Sequence, residues 1–327
     1  MDLIDNTRNQ HFLPQIEQRM NAIDPTVAKE EQRIFEFEIL GDRKGVKRLG
    51  EGQSLKISKN LAMLDLFSFN VDKSLALRQN FEALFQRYEN EVERNTSSLL
   101  TKLAEGDTDV SAEVVSIYAA KLMNFARNPF SVVKILNTFG NLANYTPQDP
   151  TALALFNKVL NGRRKHQKHL CKSLDITDEQ YNRWLRMLFN MLMELKPGFR
   201  SLFDETVRSV FTSKQFGIAV LVCTYSTPRC LLSDRAMTTN IANSRANGFD
   251  FNLNSRAFIR YIVMDRTPQS VPDWMPPEAI ERLMSSSLPI TLYREHDNED
   301  LLRSFNKNVL SQSHSHVYCA TDKNLVF

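Results

Sequence analysis

The sequence predicts an α+β protein: a mixed strand core drawn from both chain ends, with a large all-helical subdomain inserted between them. Three stretches carry this reading. Arg33-Ile34-Phe35-Glu36-Phe37-Glu38-Ile39 alternates apolar and charged residues, the period-two pattern of a half-buried strand. Phe216 to Thr239 holds a β-branched apolar run (Ile218, Val220, Val222) broken by Ser226-Thr227-Pro228. A second short apolar segment then delivers Ser233-Asp234 at its end, so the stretch reads as a strand pair in the core with a site at its exit. Between these, Phe81, Leu84, Phe85, Tyr88 and Val92 recur at three and four residues, as the apolar stripe of a helix does. The boundaries follow as 1–71 for the N-terminal part of the strand core, 72–213 for the helical subdomain and 214–327 for the C-terminal part of the core.

In order along the chain, a polar arm leads to Gln10-His11-Phe12-Leu13-Pro14-Gln15. Pro14 disfavours helix at Leu13, so His11 to Leu13 is expected extended, with a short helix over Ile16 to Ala22. Gly41 to Gly52 is a basic, glycine-punctuated hairpin or loop, and Leu64 to Val71 a strand or a buried turn. The helices then run Asp72 to Gly106, Ser111 to Arg127, Ser131 to Leu142, Thr151 to Leu160, Thr177 to Pro197 and Ser201 to Phe211. Asp149-Pro150 sets an N-cap ahead of a proline, and Thr177 with Gln180 makes a capping box. Asn240 to Ser255, rich in asparagine, is expected to be a long loop. Phe258 to Met264 is a strand, Pro276-Pro277 opens a helix to about Ser286, and Ile290 to Tyr293 is a short strand. Asp297 caps a helix to Leu310, and His316 to Cys319 is the last strand.

The 327 residues are 42% hydrophobic and 24% charged, an ordinary soluble balance, with a net charge of only +3. The apolar run near Gly217 to Tyr225 is far short of the roughly twenty residues a membrane span needs, and the acidic N-terminus lacks a secretory h-region. Cys171, Cys223, Cys230 and Cys319 have no framework spacing, which predicts reduced thiols in a cytoplasmic protein.

Three polar residues stand out as carriers of chemistry. His11, fixed beside a proline, can serve as a general base or metal ligand, or simply hydrogen-bond the backbone. Asp234 can be a base, a metal ligand or an anchor for a basic partner; the plainer reading makes Ser233 or Asp234 a turn or helix cap. Asn306 shares a helix face with Leu302 and Val309 and is either a site residue or a core hydrogen bond. A zinc site from Cys223, Cys230, His314, His316 and Cys319 requires the last strand to lie beside the central pair, and the spacing matches no known zinc element. The tract Asn161 to Lys172 carries Arg163, Arg164, Lys165 and Lys168; a solvated basic loop is its default reading. With Arg43, Lys44, Lys47 and Arg48 it is also where nucleic-acid phosphate is expected to bind. The five residues between Arg163 and His169 resemble the spacing in helical ribonucleases that pair arginine with histidine. No glycine-rich phosphate loop, Gly-x-Ser-x-Gly elbow or His-Glu-x-x-His helix is present.

Several of these pieces, taken in order, resemble one bacterial family, domain of unknown function four-two-three-eight. They are His11-Phe12-Leu13-Pro14-Gln15 for its His-aromatic-x-Pro-Gln opening and Tyr88-Glu89-Asn90-Glu91-Val92-Glu93 for a Glu-x-x-x-Glu helix. Arg127-Asn128-Pro129 stands for its Arg-x-Pro, Ser233-Asp234-Arg235-Ala236 for its Ser-Asp-x-Pro, and Asn306 for a helix leading into the terminal strand. Two departures are Ala236 where the family has proline, and Ile16-Glu17-Gln18 in place of an aromatic-leucine stretch. The resemblance implies a polar constellation of His11, Gln15, Arg127, Ser233, Asp234 and Asn306. It implies a cytoplasmic, defence- or toxin-type protein acting on nucleic acid or nucleotides as a nuclease-like hydrolase. His11 would be base or acid, Asp234 the orienter or ligand of a divalent metal, and Arg127 the anion holder, with Gln15 and Asn306 positioning. The alternative is a non-catalytic subunit that binds a protein partner in a defence complex, or nucleic acid, and uses the same residues as a buried polar network.

Overall fold

The computed structural model describes residues 3–41, 47–72, 77–194, 200–213, 215–243, 246–265 and 290–327, with the backbone alone for 241–243. The N-terminal region runs β1 (Asn9–His11), α1 (Gln15–Arg19), β2 (Arg33–Gly41), β3 (Lys47–Leu49), β4 (Gln53–Lys56), β5 (Ala62–Leu64), β6 (Asn70–Asp72) and β7 (Leu77–Gln79). Pro14 ends the extended segment and α1 starts directly after it, as its fixed φ dictates. The helical expectation for Asp72 onward fails here: Asn70–Asp72 pairs antiparallel with Leu77–Gln79, and α2 (Glu82–Ala104) begins only after them.

Next come α3 (Ser111–Ala126), α4 (Val132–Phe139), α5 (Pro150–Asn161), α6 (Gln167–Leu174), α7 (Asp178–Leu192) and α8 (Leu202–Thr212). Asp149 caps α5 through the Ala152 N–H, and Thr177 and Gln180 exchange both bonds of the capping box on α7. The basic tract is not all loop. Its second half folds as α6, because Leu170 and Cys171 have core to bury. Gly162, just before it, must be glycine: an added Cβ would lie 2.0 Å from the Phe69 carbonyl oxygen, where the chain passes β6.

The C-terminal region holds β8 (Phe216–Thr224), β9 (Leu232–Ser233), β10 (Thr238–Asn243), β11 (Ala246–Asn254), β12 (Ala257–Asp265), β13 (Ile290–His296), α9 (Glu299–Gln312) and β14 (His316–Cys319). The asparagine-rich segment is strand, not loop. Phe251 and Leu253 are buried at alternate positions, and the intervening Asp250 and Asn252 are buried with partners, Arg260 and Asn21. Asn298, not Asp297, caps α9, while Asp297 accepts from the Ser226 backbone and hydroxyl instead. The helix expected after Pro276-Pro277 lies outside the described residues.

Two five-stranded sheets result. The larger has the order β10-β11-β12-β8-β13, antiparallel except for β13 beside β8. The smaller, β3-β2-β14-β9 with β4 also on β2, joins strands from both chain ends, as the α+β reading requires. The expected pairing inside Phe216–Thr239 does not occur, because β8 sits in the larger sheet and β9 pairs with β14 in the smaller.

The unbroken apolar run of β8 is explained by burial on both faces. Ile218, Val220 and Val222 face the helices, and Cys223 faces a second cluster with Phe258, Phe305 and Val317. The helical block does not keep a core to itself. Tyr118 of α3 packs edge-on against Tyr261 of β12 at 5.0 Å, and the Tyr261 hydroxyl donates to the Val114 carbonyl. One apolar cluster therefore runs from α2 to α8 into the larger sheet.

Candidate functional site

Pairing of β1 with β5 sets His11 opposite Ala62 and brings the imidazole under the Asn60 carbonyl. His11 Nδ1 lies 2.9 Å from that oxygen. A carbonyl can only accept, so Nδ1 carries the proton and Nε2 keeps its lone pair. Gln15, four residues on and at the start of α1, donates its amide to Nε2 at 2.8 Å, and its own carbonyl accepts from Arg19. Burial, the largest influence, holds the His11 pKa below its ordinary value, with Arg127 and Arg19 adding to that and the Asn60 contact and Glu89 opposing it. The imidazole is therefore neutral near pH 7, in one tautomer, with its base nitrogen held by an amide that can give way.

Facing it is α2. Glu82 and Glu89 are seven residues apart, two helical turns, so both carboxylates project from one side. His11, Gln15, Glu82 and Glu89 line a half-open cavity of about 400 Å³, closed at one side by Ser58. Glu82 sits in the first turn, where Asn80 caps its N–H, and burial pushes its carboxyl up to about 7, Glu89 adding and Arg127 opposing. Behind Glu89 lies Arg127, fully buried at the end of α3. Its Nη1 reaches Glu89 at 2.7 Å, and its plane rests over Phe85 at 4.7 Å. Its Nε and other Nη are buried and find no partner among the described residues, as is true of one Glu82 oxygen.

Three of the six expected residues therefore come together: His11, Gln15 and, through Glu89, Arg127. The other three do not join them. Asp234 is 1% exposed and accepts the backbone N–H groups of His314, Ser315 and His316 at 2.8, 2.8 and 2.9 Å, fixing the entry to β14. Ser233 shares a hydroxyl bond with Ser313 and caps Arg235. Asn306 bridges Leu231, Arg229 and Val326 through backbone groups. Ser233 is thus a turn cap and Asn306 a core hydrogen bond, whereas Asp234 is not the local cap of the plainer reading but a long-range anchor. The two sets are linked through a seam: Asn128 donates to the Asp234 carbonyl, and Phe130 packs between Phe12 and His314.

The basic tract is dispersed in its duties. Arg163 pairs with Asp72 at 3.0 Å, while Arg164 turns back onto the Val159 carbonyl and Gln167 and so finishes α5. Lys165 faces a separate cavity of about 840 Å³ with Arg8 and Arg78, and Lys168 is exposed on α6. Arg43 and Lys44 lie outside the described residues. The zinc grouping does not form: Cys223 and Cys319 stay in an apolar cluster, where burial pushes their thiols up to about 12 and about 11, and His314 stacks on Phe130 instead. Among the described residues no three His, Cys, Asp or Glu side chains gather as a metal site.

The sequence reading missed Glu82, a second carboxylate lining the cavity that holds His11. Its seven-residue spacing from Glu89, beside the Phe81-Phe85-Tyr88 stripe, was the available signal. It also missed Glu17 and Lys121, a fully buried pair at 2.7 Å that pins α1 to α3 with help from Asn124. Compared with protein families, with curated proteins and with solved structures, the chain matches none.

Proposed function

We propose that the chain is a hydrolase whose acid–base chemistry takes place in the cavity between α1 and α2. The observation that carries this is the pairing of a neutral, tautomer-fixed His11 with a Glu82 carboxyl pushed up to about 7 in one cavity. Near neutral pH the imidazole can take a proton and the carboxyl can give one, so both groups stand in working protonation states. His11 Nε2 activates water, with Gln15 holding the ring until substrate displaces its amide. Glu82 protonates the leaving oxygen, and the unpartnered donors of Arg127 offset negative charge that develops beside Glu89.

The resemblance to domain of unknown function four-two-three-eight supports placing this activity in a bacterial defence or toxin setting. It favours nucleic acid or nucleotides as the substrate class, and makes the chain a divergent member of that family acting in the cytoplasm. No described helix is long and apolar enough to cross a membrane, which agrees with a substrate met in water.

The competing reading, a non-catalytic subunit that binds a protein or nucleic-acid partner, is favoured by Asp234, Ser233 and Asn306, all engaged in holding the chain. Turnover decides between the two. Purified protein is assayed on single- and double-stranded DNA and RNA and on nucleotides, beside His11→Ala and Glu82→Gln. A loss of about 100-fold or more in both variants, with each still folded and Glu82→Gln no less stable than the wild type, is expected of an acid–base pair. Full turnover in His11→Ala removes the site from consideration.

A further inference from the structure

A third cavity, of about 300 Å³, opens on the His314 side of the Phe130 seam. Lys47 of β3, Lys134 of α4, Arg235 after β9 and His314 before β14 all line it, and none of its described lining residues is acidic. The ordinary explanation for such a cluster is a set of cations at the carbonyl end of a helix. It covers Lys47, whose Nζ donates to the Ser311 carbonyl of α9 at 2.6 Å. It does not cover the others. Lys134 stands over the Phe125 ring at 5.7 Å, and Arg235 keeps its Nε buried without a partner. Among the described residues neither forms an ion pair. The Asp234 carboxylate, which does act on His314, is engaged by three backbone N–H groups.

Bringing like charges together in a recess is unfavourable unless an anion shares it. Burial lowers the Lys134 pKa, and Arg235 lowers it further, the mark of cations held close without compensation. A planar guanidinium and two ammonium groups around one recess, with Gln312 and Ser311 at its edge, match a tetrahedral dianion with several acceptor oxygens.

We propose that this cavity is a binding site for a phosphate group, presented by a free nucleotide or by a nucleic-acid strand. The site is separate from the His11 cavity and does not depend on its chemistry. It also departs from the basic tract 161–172, where composition alone would have put phosphate.

The test is binding, not turnover. Thermal unfolding of the whole chain is followed with inorganic phosphate against chloride at equal ionic strength, then with a nucleoside triphosphate and with a short single-stranded oligonucleotide. Phosphate should raise the unfolding temperature of the wild type. Arg235→Gln and the exposed Lys134→Gln should each weaken the interaction about tenfold or more, the worth of one charge-assisted hydrogen bond. Lys29→Gln, an exposed lysine outside this cavity and outside the basic tract, should bind like the wild type. If Arg235→Gln fails to fold, Lys134→Gln alone decides. Absence of a phosphate-specific shift in the wild type, or equal shifts in wild type and Lys134→Gln, overturns the proposal. Between the two sources, a variant-sensitive response to the triphosphate alone identifies a nucleotide pocket, and one shared by the oligonucleotide identifies a strand contact.

Discussion

Glu82→Gln separates stability from function at the proposed site, and its effect can be worked out from the structure. The Glu82 carboxyl rises from 4.5 to about 7 in the folded chain, chiefly through burial. Each pKa unit corresponds to about 1.4 kcal/mol, so the charged form is disfavoured in the fold by about 3 kcal/mol. Its place in the first turn of α2 returns some of this, about 0.3 to 1 kcal/mol, by favouring negative charge at a helix N-terminus. Because the folded value lies above the unfolded one, the folded chain holds a proton that the unfolded chain releases between pH 4.5 and 7. Stability therefore falls across that window as pH rises and levels off above it. Glutamine, nearly the same shape and always neutral, has no such slope. Urea unfolding at pH 4.5, 6 and 8 should show the two proteins alike at the lowest pH and the variant more stable by about 2–3 kcal/mol at pH 8. The same variant should lose hydrolysis, the pattern of a carboxyl kept for chemistry at the expense of stability. A variant less stable than wild type at pH 8, or one with an unchanged pH slope, would refute the reasoning.

Two more outcomes follow from buried contacts. Lys121→Met strands the Glu17 carboxylate inside the protein and should cost about 3–5 kcal/mol, whereas Glu17→Leu with Lys121→Met should recover most of it; a double-mutant cycle by denaturant unfolding measures the coupling. Asp234→Ala leaves three backbone N–H groups without their acceptor and should lose more than about 3 kcal/mol, while His11→Ala should lose far less; equal thermal stability of Asp234→Ala and the wild type would show that the aspartate is not the anchor the structure makes it.

What could be read from the sequence was what is decided locally. Asp149-Pro150 and Thr177-Gln180 signal helix starts within four residues, and the seven residues Arg33 to Ile39 announce β2. The asparagine-rich segment misled because its polar side chains are satisfied from afar: Asn252 exchanges amide bonds with Asn21, 231 positions away. Asp234 misled for the same reason, since its three donors lie 80 or more residues on and no local pattern announces them. Of the constellation, His11 and Gln15 were legible as neighbours in sequence, and Arg127 reached them only through Glu89.

The position of α1 explains why that much of the site closes. Five residues make too short a helix to hold an orientation by itself. Its outward side carries Gln15 and Arg19, which fix the imidazole, and its inward side carries Glu17, which is bonded to Lys121 and Asn124 of α3. A buried ion pair adds little stability over an apolar contact of the same shape, but it admits few geometries. At the end of α3, one turn beyond Asn124, the chain reaches Arg127, which fixes Glu89. The proposed base His11 and the Glu89 carboxylate of the same cavity are thus set by opposite ends of one rigid path, α1 to α3 to α2. Displacing α1 by loss of Glu17 would move His11 relative to Glu82 without touching either. For that reason the Glu17 and Lys121 variants should lower turnover beyond what their loss of stability accounts for, and a double variant that regains stability without regaining turnover would be the signature of positioning.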